Sequence, residues 1–237
     1  MSEWAPRRFW KAVSIREAAE GWGIALDDRP LRTPSKSALT LPTPALADAL
    51  AKEWDAVEDR VDPRRMPWTR SANSAIDKVP AQRAAVIEML GEYGATDLLS
   101  YRAAHPEALV ERQAAAWDPL LDWAADRYGA RLAVTAGMMP VPQDEGALER
   151  LRHAVAENDD FALTGLHDLV VLSGSLVLGL AAAEGAEAPE EVWRRSRVDE
   201  EFQAEQWGRD EEADAAAAAH EADFLHACRF LRATRPS

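Results

Sequence analysis

A single cysteine, Cys228, among 237 residues rules out any internal disulfide framework and fits a reducing compartment. Long apolar runs are also missing. The longest, Leu169 to Ala183, spans about 15 residues and contains Ser173, Gly174 and Ser175, which is too short and too interrupted to cross a bilayer. It reads as a buried helix whose small residues at 173, 174, 175 and 179 let a neighbour approach closely, so the Ser-Gly-Ser triplet is packing rather than a catalytic serine. Met1 to Arg8 lacks the apolar centre of a signal peptide, and no Arg- and Ser-rich amphipathic lead precedes Arg8. Positive charge is in short supply: 27 Lys and Arg face 41 Asp and Glu, a net of -14. The deficit is local, because residues 184–223 hold 4 basic and 14 acidic groups while residues 1–70 hold 12 and 11. Such a balance excludes nucleic acid and an anionic membrane as partners and asks for one that tolerates negative charge.

The usual enzyme signatures are absent as well. There is no GxGxxG, no GxxxxGK followed by Ser or Thr, no HExxH and no GxSxG, so nucleotide cradling, zincin chemistry and a nucleophile elbow find no support. The histidines at 105, 153, 167, 220 and 226 are scattered. Asp223 and His226 have the three-residue spacing of a di-metal helix bundle, but neither His153 nor His167 has an acid three residues before it to complete such a site. No metal and no organic cofactor is therefore expected. Cys228 falls on the apolar face of its helix and reads as core.

What is present is a hydrophobic fraction of 47 % with nine tryptophans, ample for a real core. Composition changes once, near residue 43. Before it, Arg8 to Ile15, Gly21 to Leu26, Pro30 to Thr33 and Ala38 to Leu41 are short segments in which Val13/Ile15, Trp22/Ile24/Leu26 and Leu39/Leu41 alternate with period two. Asp27-Asp28, Arg29-Pro30 and Pro34 to Ser37 supply the turns, which predicts a small antiparallel sheet. After it, helices dominate. Thr43-Pro44 is a cap with proline at the first helical position, and Leu46, Leu50, Trp54, Val57 and Val61 recur every three or four residues, so a helix is expected over about 44–60. Others are expected from Pro80 to Tyr93, from Pro106 with a break or restart at Asp118-Pro119, at about 144–157, at 161–182, and at 189–231 with an interruption near Gly208. The fold class is α+β: a β-rich N-terminal domain over 1–70 that includes the first helix, and a mainly helical C-terminal domain over 71–237.

The stretch Val198 to Gly208 places carboxylates where a merely solvated helix would not. At 100° per residue Val198, Phe202, Glu205 and Arg209 share one side with Glu201 on its flank, so two acids border an apolar stripe. Asp199, Glu200, Gln203 and Trp207 lie opposite, with the indole half wet. A surface mixing acid, amide and indole suits recognition of a partner. The alternative is an acidic amphipathic helix with one Trp plugging a neighbouring domain. Glu201 and Glu205 could also share acid and base roles in a cleft, although no nucleophile or oxyanion donor accompanies them.

Several segments together resemble one family. They are Arg8-Phe9-Trp10-Lys11, Leu26 to Pro34, Glu53-Trp54-Asp55, Met66-Pro67, Asp97 to Arg102, Gln113 with Trp117-Asp118-Pro119, Ser173-Gly174-Ser175, and Asp199 to Gly208. Each is weak alone, but their collinear succession from about 8 to 208 is similar to the assembly chaperones of the F-type ATP synthase that bind the alpha subunit of its catalytic head. One departure is Ser100, where the family has another small residue or cysteine before the tyrosine. The resemblance implies a soluble chaperone without catalytic activity, with a β-rich N-terminal and a helical C-terminal domain, which holds the free alpha subunit until a beta subunit replaces it. It implies mitochondria or the cytoplasm of alpha-proteobacteria, and the missing leader favours the bacterial cytoplasm or a mature form. A monomer is the favoured state. With the resemblance added, Asp199, Glu201, Gln203, Glu205 and Trp207 become the candidate client-binding residues. Trp10, Trp54, Asp97, Tyr101 and Arg102 become structural or interdomain positions, the last three as a charge-assisted network around a tyrosine hydroxyl that needs a partner.

Overall fold

The computed structural model describes residues 7–137 and 139–236. The reading of the N-terminus for a targeting signal therefore falls largely outside the described residues. The chain is α+β, with a small antiparallel sheet followed by a predominantly helical remainder. Strands β1 (Val13–Ala18), β2 (Gly21–Leu26) and β3 (Arg29–Pro30) pair in that order, with Ile15 opposite Ile24 and Leu26 opposite Arg29. Asp27 makes the second turn by adopting φ 53° while its Oδ1 accepts from the amides of Lys11 and Ala12. The expected Ala38–Leu41 strand contributes only isolated bridges, Leu41 to Trp22 and Ala38 to Arg32.

Ten α-helices follow among the described residues: α1 (Pro44–Asp55), α2 (Pro67–Asp77), α3 (Val79–Ala95), α4 (Glu107–Tyr128), α5 (Glu145–Ala156), α6 (Asp160–Ser173), α7 (Leu176–Glu184), α8 (Pro189–Ser196), α9 (Val198–Trp207) and α10 (Glu211–Thr234). Strands β4 (Tyr101–Arg102) and β5 (Thr135–Ala136) form a short parallel pair. The chain divides into two compact units. One comprises the described residues up to Arg83 with Asp160–Thr164 and those from Arg229 onward; the other comprises Ala84–Asp159 and Gly165–Cys228.

In the first unit the sheet lays Ile24, Leu39 and Leu41 against Leu46, Ala47 and Leu50 of α1, Ala72 of α2 and Phe230. A second cluster gathers Trp10, Leu26, Val57, Val61 and Met66. Thr43 caps α1 through the Leu46 amide and donates to the Ala233 carbonyl. Here the expectation for α1 is corrected: it ends at Asp55, because Arg8 Nη1 takes the Asp55 and Val57 carbonyls at 2.8 and 2.6 Å and satisfies acceptors that a further turn would have used. Val57 and Val61 are still buried, on irregular chain rather than on a helix.

In the second unit two expected boundaries also shift. Pro119 lies inside an unbroken α4. The proline removes a donor from the ladder there, but the nearby Ala116 carbonyl accepts from Arg195 Nη1 and the Trp117 indole donates to the Arg195 carbonyl at 2.8 Å, so tertiary contacts carry the helix through. The run from 161 to 182 is not one helix. Ser173 Oγ folds back onto the Leu169 carbonyl, Gly174 turns at φ 69°, and Ser175 caps the restart through the Leu178 amide. Arg197 adds a second break, between α8 and α9, beyond the expected one near Gly208.

The small-residue argument holds at Gly179. A Cβ there would sit 2.4 Å from Val170 Cγ2 and 3.1 Å from the Val170 nitrogen, so α6 and α7 touch backbone to backbone. Gly179→Ala is expected to lower stability by about 1–3 kcal/mol, the range for overpacking a filled core, as read from urea unfolding. A variant as stable as the parent would show that the two helices can part without cost.

Candidate functional site

Three groups of side chains carry the segments singled out in the sequence. The first lies in the second unit around α4, α8 and α9. Gln113 is fully buried; its Oε1 accepts from the Ala103 amide at 2.7 Å and its Nε2 donates to Asp199 Oδ1 at 2.6 Å. Four residues on, Trp117 is buried under Arg102, whose Cζ stands 5.2 Å from the ring centre. Arg102 donates to the Leu99 carbonyl and to Asp118 at 2.8 Å. Gln113, Trp117 and Asp118 thus form one polar seam that fastens α4 to the start of α9, to α8 and to β4.

Asp199 belongs to this seam. It turns inward to Gln113 and is half-buried, which corrects its expected position on the wet side of α9. Glu205, which periodicity sets beside the apolar stripe, is exposed and receives Arg112 Nη1 at 2.7 Å, which holds its carboxyl below the usual range. Glu201 pairs with Arg209 at 2.9 Å and Glu200 with Arg197 at 2.7 Å. Only Val198 and Phe202 of the stripe turn inward, the first buried and the second half-buried.

The outward face of α9 therefore carries Glu200, Gln203 and Trp207, ringed by arginine-tied acids. Trp207 is 80 % exposed, much more than half wet, so it plugs nothing in this chain. Against Val198 and Glu201 at the start of α9 a cleft of about 290 Å³ is bounded by Arg112, Arg194, Arg197 and Glu221 over the buried Trp193. The three arginines each hold a carboxylate: Arg112 with Glu205, Arg194 with Glu191, Arg197 with Glu200. An acid and base pair needs two carboxylates that share one environment, whereas Glu201 and Glu205 are separately neutralised in solvent. Asp223 is exposed and His226 buried, and among the described residues no group of three His, Cys, Asp or Glu converges to hold a metal ion.

The second group surrounds Asp97, which is 0 % exposed. Its Oδ1 accepts from the Leu99 amide at 3.0 Å, its Oδ2 from the Val177 amide at 3.1 Å, and Leu98 donates to the Gly174 carbonyl. The Ser-Gly-Ser break thus exists so that α7 can begin on this carboxylate. Asp97 and Arg102 serve separate networks within the second unit, and Tyr101 stands opposite Thr135 in the β4–β5 pair.

The third group is in the first unit. Trp10 is buried between Phe9 and Trp54, with Arg8 Cζ 5.5 Å above its ring. Glu53 caps α2 from a distance: its carboxylate accepts from the Trp68 and Thr69 amides at 2.8 Å and from Thr69 Oγ1 at 2.6 Å, although burial raises its pKa. The Trp54 indole donates to Thr69 Oγ1 at 2.9 Å. Sequence reasoning missed α2, yet Leu31–Pro34, Trp54 and Met66, all from the resembling segments, meet along it to line a cavity of about 530 Å³. The signal available was their joint presence in one resemblance.

A family model described as ATP12 chaperone protein matches residues 7–125. A crystal structure of Atp12 from Paracoccus denitrificans is 57 % identical and superposes with a TM-score of 0.94, covering 97 % of this chain and 98 % of that one. That of a putative chaperone from Agrobacterium tumefaciens is 42 % identical with a TM-score of 0.93, covering 97 % and 87 %. The mitochondrial protein atp12 of Schizosaccharomyces pombe is 24 % identical over 219 residues, 87 % of this chain and 75 % of that protein. By the matched half of its length, and by identity above half to a solved chain that it covers almost end to end, this chain belongs to the ATP12 chaperone protein family.

Proposed function

We propose that this protein is an assembly chaperone of the F-type ATP synthase whose client is the free alpha subunit, held through the outward face of α9 until a beta subunit displaces it. The observation that supports this most is Trp207: a monomer gains nothing from an 80 % exposed indole at a helix end, whereas an indole inside a polar rim is the usual anchor of a partner surface. Gln203 shares its side of the helix, Glu205 lies exposed on the opposite side against Arg112, Glu201 pairs with Arg209 past the helix end, and Asp199 fastens the start of the helix through Gln113. A surface evolved for another subunit aggregates when uncovered, so a reversible cover must bind well and still be beatable. No helix among the described residues is long and apolar enough to cross a membrane, in keeping with action on a client not yet assembled. We place the protein in the cytoplasm of an alpha-proteobacterium, acting as a monomer and without cofactor.

Light scattering during refolding of isolated alpha subunit tests the reading. Equimolar to several-fold excess protein is expected to suppress the rise in scattering in proportion to its concentration. No suppression at several-fold excess overturns it.

A further inference from the structure

We propose that the cavity of the first unit is a second docking site, which takes an extended segment of the client presenting a bulky apolar side chain next to acidic residues; this rests on the client reading above only for the identity of the partner. The walls are Leu31, Leu39, Trp54, Val61 and Met66. At about 530 Å³ the cavity lies within the range of pockets that bury a ligand, and it is far from the α9 face in sequence and separate from it in composition. Several of its polar lining groups already have partners. The Trp54 indole is given to Thr69, Thr33 Oγ1 donates to Asp77 Oδ1 at 2.7 Å, and Asp77 Oδ2 accepts from the Ser35 amide at 3.0 Å. Asn73 and Ser74 also line the cavity, but Leu31, Leu39, Trp54, Val61 and Met66 form most of its wall, so the part of the occupant that enters is apolar.

The lip decides what flanks it. Arg32 and Lys78 border the cavity, Arg70 at the same border acts on the Glu53 carboxylate, and the one carboxylate among the bordering residues, Asp77, has both oxygens turned onto Thr33 and Ser35. In a chain of net charge -14 this is a cationic mouth on an apolar hole. Acidic residues on both sides of the entering side chain complement it, and basic ones oppose it. The walls are also fixed in advance: Glu53 holds the start of α2 and Arg32 Nη1 donates to the Lys36 carbonyl at 2.9 Å, so little ordering is needed when the segment enters.

The experiment maps amide shifts of the full-length ¹⁵N-labelled chain with three probes: acetyl-Glu-Leu-Phe-Glu-amide, acetyl-Lys-Leu-Phe-Lys-amide and decanoate. The glutamate peptide is expected to shift Leu31, Ser35, Asn73 and Ser74 and to bind about fivefold more tightly than the lysine peptide, as an exposed charge pair allows. Lys78→Glu at the exposed lip should erase that preference without changing the melt, and Ser74→Trp should fill the cavity and abolish the shifts. Shifts located elsewhere, equal or tighter binding of the lysine peptide, or shifts with decanoate alone overturn the proposal. If Ser74→Trp unfolds, the Lys78→Glu comparison and the shift map decide by themselves. Binding of the glutamate peptide in the cavity by a chain that leaves alpha-subunit scattering unchanged ends the client reading and supports the docking site. Full suppression of scattering with no peptide shifts in the cavity does the reverse.

Discussion

Asp97→Ala is expected to cost about 4 kcal/mol of stability at pH 4.5 and about 2 kcal/mol at pH 8, measured by urea unfolding of parent and variant at both pH values. Truncation strands the Leu99 and Val177 amides in the core, each worth roughly 1–3 kcal/mol when unpaired. The pH dependence has its own cause. Burial pushes the Asp97 carboxyl up from 3.8 to about 6, against hydrogen bonds from Ser175, Leu99 and Val177 that pull it down. Desolvation outweighs them. Between those two values the native state holds the proton more tightly than the unfolded chain does, so the parent is most stable at the acid side of the window and loses stability as pH rises through it. That loss is about 2 kcal/mol between pH 4.5 and 8, and the alanine variant cannot share it. A gap that widens with pH, or stays below about 1 kcal/mol throughout, means that the carboxylate is not the buried cap of α7.

The same residue shows how far the sequence could be read. Asp97 and Val177 stand 80 residues apart, and their contact fixes where α7 begins after the break at Ser173. Local signals for that stop are present, a glycine and a capping serine, but the apolar residues on both sides of them argue for one buried helix. The sheet was legible because period-two alternation is a local property of one exposed and one covered face. By contrast α2 went unread although Trp68, Ala72, Ala75 and Ile76 fall on one side of it: its fully buried positions are the small Ser71, Ala72 and Ala75, and its N-terminus is capped by Glu53 from another helix. The break at Arg197 has no capping side chain at all.

On α9, periodicity set the acids beside Phe202 correctly but could not supply Arg112, 93 residues away, which makes Glu205 an ion pair in solvent instead of a buried charge. For Asp199 the missing partner was Gln113, 86 residues away. What the sequence did carry was the candidate face itself, since the indole of Trp207 and the amide of Gln203 fall on the side opposite Val198 and Phe202 in both readings.

That face gives the largest expected effect on binding. Trp207→Ala should weaken the complex with alpha subunit about thirtyfold, the scale of an aromatic hot spot, while the melt of the free chain stays within about a degree or two because an 80 % exposed ring contributes little to folding. Glu205→Gln should do less. Its carboxylate is exposed and already shared with Arg112, so the amide trades a screened pair for a weaker hydrogen bond and binding should fall only a few-fold, more at low than at high salt. Ordering the two variants this way separates a client surface from structural support, because α9 is fastened to α4 through Arg112 and Gln113 and not through Trp207. Titration calorimetry with refolded alpha subunit, run beside thermal melts, reads both quantities. If Trp207→Ala binds as tightly as the parent while Glu205→Gln melts lower and binds worse, the indole is a bystander and the client sits where α9 is anchored rather than on its outer face.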